Sequence, residues 1–432
     1  MKNPIPPLPG PVLLVFLVQV AVLLGLAVVL GRLAVRLGMP QVIGELCAGL
    51  LLGPSLLGHV APSVSGWLFP ARQFGMLDGI GQVGMLLLVG VTGMYLDVGL
   101  LRRQGLRAGV VSALSLVVPL GLGIACGFVL PAAVLPASGN RTVFALFLGV
   151  ALGVSALPVI AKILTELGFL HRDVGQLTII AAGVDDVVGW LLLSIVAAMA
   201  TTGVHAGTVV TSVAVLVGIV LVAAFVLRPA VKFVLVRLAP TEDRGPTLAV
   251  LAVLVLGCAA ATQALKMEAL LGAFLCGIVV SSTGAVHPRH LATLQTIVLS
   301  VLAPIFFATA GLRMDLTVLG RPVVAVCAVV VILAAVVGKF AGAYLGAMLV
   351  RLDRWRALAL GAGLNARGVV QIVVASVGLR AGVLNTASYT VVVLVAITTS
   401  AMAPPLLRLA LGRIDTTPAE EERERAVSAA VA

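Results

Sequence analysis

About thirteen apolar runs, most of them some 20 residues long, follow one another through this chain of 432 residues. They lie roughly at 11–31, 40–58, 75–96, 106–130, 141–167, 173–200, 206–227, 245–263, 266–283, 288–312, 320–349, 357–380 and 386–411. About 20 residues of helix, each rising ~1.5 Å, cross the ~30 Å hydrocarbon core of a bilayer. Charged residues make up only 10% of the chain and the mean hydropathy is +1.19. A soluble domain carries about 25% charged residues. The sequence therefore describes an all-α polytopic membrane protein. Residues 1–411 read as one transmembrane domain, and 412–432 as a charged cytoplasmic tail too brief for a second one. The opening MKNPIPPLPG lacks the charged n-region and cleavage site of a signal peptide, so the first run is expected to stay as a helix.

The formal charge of +11 does not point to a nucleic-acid partner, because the basic residues come in twos and threes between apolar runs. With the N-terminus outside, 19 of the 28 Lys and Arg fall on the inner face and seven on the outer. Lys339 and Arg367 remain at membrane depth. This is the bias of a cell-membrane protein with its N-terminus outside and its C-terminus in the cytoplasm. The five cysteines stand singly in apolar stretches and read as small packing residues.

Function is written most plainly in Asp185-Asp186, two adjacent carboxylates inside the apolar run Val174–Ala200. One carboxylate near the bilayer centre costs roughly 2.5–3.5 kcal/mol, and such residues usually bind an ion, a proton or each in turn. Neighbours on a helix diverge by about 100°, so one aspartate can face an ion cavity while the other faces a neighbouring helix. The neighbour expected for the second is Lys339, too deep in its run to snorkel: it lies about 18 Å along a helix from Arg351. Around it Gly338, Gly342 and Gly346 form a smooth face for another helix.

Two runs are poor helices at their centres. The fifth contains Gly153-Val-Ser-Ala-Leu-Pro158, where Pro158 removes a donor and disfavours helix at Leu157. The twelfth contains Gly361-Ala-Gly-Leu-Asn-Ala-Arg-Gly368. Irregular backbone at this depth needs protein or a water-filled cavity around it. The two runs are seven apart, an odd number, so the second half would be inverted relative to the first. Paired broken helices in an inverted repeat mark a transporter's midplane site. Ser155 and the carbonyls of 154–157 are candidate oxygen ligands for a cation; Asn365 and Arg367 are expected to neutralise the carbonyl end of the twelfth run. Glu45 is a further candidate, or a polar residue at the membrane edge. His287 and His290 (HPRH) read as a solvated pair, with pH sensing as the other reading.

These segments resemble the monovalent cation:proton antiporters of family 2, which include bacterial sodium/proton exchangers and plant cation/proton exchangers. The likeness rests on Asp-Asp-Val-Val-Gly-Trp, GVSALPVIAKILTEL (153–167), Gly338–Gly346, LNARGVVQIVVASVG (364–378), GMPQVIGELCAGLLLGPSLLG (38–58) and LAPIFFATAGLRMDL (302–316). It implies an inverted-repeat antiporter fold with two broken helices crossing at the midplane, and a core bundle moving against a dimerisation bundle. It also implies Asp186 as the carboxylate that binds the monovalent cation and the proton. Asp185 would be the aspartate that pairs with a lysine, here Lys339, in electrogenic members. Three features depart from the pattern. Gln371 stands where many relatives have Glu, Ser155 stands for Thr, and no C-terminal nucleotide-binding domain is expected.

The expectation is a secondary antiporter rather than an enzyme, exchanging Na+ or K+ for H+ as a homodimer in lipid, with no cofactor beyond the transported ions. Adjacent aspartates point apart, which argues against an aspartyl protease dyad. A proton-coupled exporter of an organic solute on the same fold remains as the alternative.

Overall fold

A computed structural model of the protein describes residues 9–70, 73–95, 105–136, 140–167, 169, 172–202, 206–238, 244–286, 288–418 and 420. The apolar runs become helices because a chain in hydrocarbon has only its own carbonyls to satisfy its peptide N–H groups. Leaving aside short turns, they are α1 (Gly10–Arg36), α2 (Gln41–Leu52), α3 (Phe74–Met94), α4 (Gly105–Val129), α5 (Arg141–Gly153), α6 (Leu157–Glu166), α7 (Asp173–Thr202), α8 (Ala206–Val222) and α9 (Arg228–Leu238). Then follow α10 (Arg244–Ala264), α11 (Ala269–Thr283), α12 (Pro288–Ile297), α13 (Ala303–Leu312), α14 (Pro322–Leu349), α15 (Arg354–Leu364), α16 (Gly368–Arg380) and α17 (Thr386–Leu411). Polar residues start several of them: Asn140, Asp353 and Asn385 each accept a hydrogen bond from the first turn.

Each of the thirteen runs carries helix. Ten of the resulting segments are long and apolar enough to cross a membrane alone, and α15 with α16, bent by 45°, makes an eleventh. The other two runs are shorter. The fifth is divided into α5 and α6 by residues 154–156, and the ninth yields only the 15 residues of α11. A count of thirteen crossings is therefore not reached by helix length.

The helices pack as two groups. α4, α5–α6, α7, α14, α15–α16 and α17 form one bundle, and α1, α2, α3, α10, α11 and α13 the other. The first is held at its centre by α14 lying against α4. A Cβ on Gly342 would stand 2.3 Å from the Leu114 carbonyl oxygen, so the two backbones touch only because glycine is there. The glycine face read from the sequence thus finds its helix.

Both expected interruptions are present. α5 stops at Gly153, Val154 is extended, and α6 begins at Leu157 with Pro158 in its first turn, where a missing N–H is harmless. α15 stops at Leu364 and α16 starts at Gly368, whose φ of +37° is a left-handed value. The breaks meet, the Ala156 N–H donating to the Ala366 carbonyl at 3.2 Å. Neither stretch of freed backbone faces lipid alone.

Candidate functional site

α7 carries both aspartates, and both are fully buried. Their environments differ completely. Asp185 accepts from Lys339 Nζ at 2.8 Å, Ser112 Oγ at 2.6 Å, Ser155 Oγ at 2.7 Å and Ser115 Oγ at 3.3 Å. Neither oxygen of Asp186 has a hydrogen bond of good geometry among the described residues; the backbone N–H of Leu157, the first residue of α6, is the donor beside it. One turn further along α7, Trp190 packs against Phe274 of α11 with ring centroids 6.2 Å apart. Trp190, on the same face of α7 as Asp186, thus meets the second bundle, while Asp185 looks into the first.

Lys339 also donates to the Gly153 carbonyl at 2.7 Å. That carbonyl ends α5, where a cation is favoured by the helix dipole and by the lack of an intrahelical donor. The lysine thus joins the carboxylate to the broken helix end. Arg367 does likewise from the other break, but not as expected. Its guanidinium donates to the carbonyls of Ala151 (3.2 Å) and Ala335 (2.9 Å), on α5 and α14. The carbonyl end of α15 is closed by backbone instead: Asn365 and Ala366 donate to Gly361 and Gly363, and Ala156 to Ala366. The first break is therefore neutralised by a side chain of α14, the second by its own backbone and the Ala156 N–H.

Ser155 turns its hydroxyl to Asp185, so this hydrogen of the break serves the ion pair. Among the carbonyls of 154–157, that of Ala156 already accepts from Val159 and Ile160. The amides of Asn365 and Gln371 are buried and have no partner among the described residues, with all four polar atoms open. Glu45 is buried on α2, in the other bundle, where Gln41 donates to it at 2.8 Å. His290 is buried on α12 rather than solvated, and His287 lies outside the described residues. The five cysteines are free, Cys276 and Cys327 buried and the rest half-buried.

Sequence reasoning missed Ser112 and Ser115. Their spacing of three put them on one face of α4, but nothing in the sequence said that the face meets Asp185. Chemically the arrangement offers a satisfied, charge-balanced carboxylate beside a second, bare one. A buried carboxylate without donors needs a counter-ion or a proton, and either can be taken up reversibly.

Known proteins resemble this chain along most of its length. The family model described as "Sodium/hydrogen exchanger, transmembrane" matches residues 21–411. The chain is 32% identical over 401 residues to Na(+)/H(+) antiporter NhaS4 of Synechocystis, covering 91% of this chain and 97% of that protein. It is 31% identical over 368 residues to Cation/H(+) antiporter 17 of Arabidopsis thaliana, and 28% over 382 residues to K(+)/H(+) antiporter 1 of Saccharomyces cerevisiae. It spans 44% and 43% of the length of these two. The solved sodium proton antiporter MjNhaP1 of Methanocaldococcus jannaschii shares the fold, with a TM-score of 0.66 at 14% identity, over 93% of this chain and 97% of that one.

Proposed function

The chain belongs to the sodium/hydrogen exchanger family, and from that footing we propose that it is a secondary antiporter exchanging a monovalent cation, Na+ or K+, for protons. The observation that carries this reading is the pair of environments on α7: Asp185 filled by four side-chain donors, Asp186 buried with no side-chain donor among the described residues. Asp186 binds the cation or a proton in competition, and the competition couples the two fluxes. Asp185 and Lys339 form the accompanying charge pair. Ser155 holds that pair, while Pro158, Asn365, Arg367 and Gln371 belong to the crossing that shapes the site. The open oxygens of Asn365 and Gln371 suit a dehydrated alkali cation, which takes hard oxygen ligands. The first bundle moves against the second to expose Asp186 to either side. The membrane is the cell membrane, with the N-terminus outside and the C-terminus in the cytoplasm, and the protein is a homodimer. The alternative on this fold, proton-coupled export of an organic solute, draws no support from a particular residue.

The reading is tested in everted vesicles by dye-monitored proton flux, challenging with each alkali cation in turn. Na+ or K+ is expected to dissipate an imposed pH gradient. No response to any alkali cation, with a response to an organic cation, would favour the alternative.

A further inference from the structure

A cavity of about 840 Å³ opens between the two bundles at the face opposite the C-terminal end of α17. Gln82, Gln263, Glu268 and Arg380 line it, together with Ala197 and Ala198 of α7. The Glu268–Arg380 pair, at 3.9 Å, joins the start of α11 to the end of α16 across it. Below Ala198, at intervals of four, α7 presents Ser194, Trp190 and Asp186. Residues four apart lie one above another on a single helix face. All three are buried, and Ser194 Oγ, Trp190 Nε1 and both Asp186 oxygens have no partner among the described residues.

Three consecutive unpartnered polar groups on one buried face are unusual, since most buried polar side chains in proteins are hydrogen-bonded. Leaving them open is costly in an apolar surrounding unless water or an ion visits them. The face ends at a cavity on one side and at the bare carboxylate on the other. Trp190 stands between, its ring against Phe274 of the opposite bundle. It is the largest fully buried side chain on this face.

We propose that ions pass between this cavity and Asp186 along the Ser194–Trp190 face of α7, and that the Trp190 indole, packed on Phe274, is the barrier that closes the route. The indole contributes its ring as a plug and its Nε1–H as a donor to a passing water. Because the contact joins the two bundles, sliding one past the other separates the rings and opens the path. This rests on Asp186 as the binding carboxylate only for the identity of what passes. The barrier itself is a matter of access.

Access is measured by a membrane-impermeant methanethiosulfonate applied from the cavity face. The background has the native cysteines replaced by serine or alanine and is first shown to transport. Asp186→Cys supplies the target, and Gln263→Cys, exposed at the cavity rim, supplies the reference rate. With Trp190 or Trp190→Phe in place, the Asp186→Cys thiol is expected to stay protected. Adding Trp190→Ala is expected to raise its labelling about tenfold or more, the effect of removing ~1.4 kcal/mol or more of barrier. Trp190→Leu, which keeps an apolar filling beside Phe274, is read in parallel in case the alanine variant does not fold. Labelling near the Gln263→Cys rate with Trp190 intact overturns the proposal, as does protection that persists in the folded alanine or leucine variant. If Asp186→Asn transports normally in the native chain, the binding role fails while the labelling result still stands.

Discussion

At the scale of single residues, the two adjacent aspartates meet opposite surroundings. Asp186 has the open coordination and Asp185 the fixed partners. Asp186→Asn keeps the size and removes the charge. It should abolish cation-dependent proton flux and cation binding, while the protein still inserts and elutes as the parent does. Transport with unchanged cation dependence would take Asp186 out of the site. The serines around Asp185 are expected to be positioning residues. Ser112→Ala removes the 2.6 Å hydrogen bond but leaves three donors, so a loss of about 1 kcal/mol is expected, in keeping with polar contacts inside membranes. Ser112→Thr, which restores the hydroxyl, should recover it, and equal thermal unfolding of all three proteins would show that the contact contributes nothing. The Asp185–Lys339 pair was legible in the sequence because two lone opposite charges at membrane depth have few alternatives to meeting. The serines were not legible. Serine is ordinary at helix contacts in membranes, and only the packed structure shows which contact each one serves.

Among the elements, the breaks were legible because proline and glycine act on the backbone they belong to. What fills them was not. Arg367 bonds to carbonyls of α5 and α14, contacts that depend on how distant helices cross. The glycine face of α14 was readable as a contact, and its partner α4 was not. Gly342→Val should prevent α14 from seating on α4, since even a Cβ would meet the Leu114 carbonyl at 2.3 Å. Little folded protein should survive detergent extraction, and a monodisperse, transporting variant would show that the helices can part there. A second contact joins the C-terminal segment to α7. Arg172 pairs with Glu420 at 3.3 Å and donates to the Ile414 carbonyl at 2.7 Å, while Asp173 N–H donates to Glu420 at 2.7 Å. Burial opposes the Glu420 charge, but the N–H groups of Thr417 and Asp173 and the Arg172 guanidinium outweigh it and hold the carboxyl below its usual range. A lowered carboxyl contributes stability above its unfolded pKa and loses it as pH falls through the lowered value. Glu420→Gln should therefore speed hydrogen exchange in 414–418 at neutral pH, and the difference from the parent should vanish in acid. A difference that grows on acidification would contradict the assigned sign.

For the molecule as a whole, the apolar runs gave the helices but not their division into two bundles, because every run is apolar enough to face either lipid or another helix. Charge is the property that belongs to the whole. Within the first bundle the buried ionisable groups of the site are Asp185, Asp186, Lys339 and Arg367, which in their charged forms sum to zero. A cation on Asp186 adds one positive charge, and so does a proton. Exchange at Asp186 alone is therefore electroneutral, whatever the sizes of the ions. Electrogenic exchange would need a second proton, and we propose Lys339, held by Asp185 and the Gly153 carbonyl, as its source. If it leaves Asp185 when the cation binds, the three serine hydroxyls still satisfy that carboxylate, and the Gly153 carbonyl still accepts from the amine. Removing one partner of a buried pair typically costs about 3–5 kcal/mol, so Lys339→Ala should unfold at lower temperature whether or not the lysine carries a proton. Combining Lys339→Gln with Asp185→Asn leaves no orphan charge and isolates the question. This double variant is expected to remain folded and to transport, but without net charge movement. The measurement is the current on a solid-supported membrane after a cation jump, beside proton flux read by dye. Wild-type charge per cation in the double variant would assign the second proton elsewhere and leave the pair a structural role only.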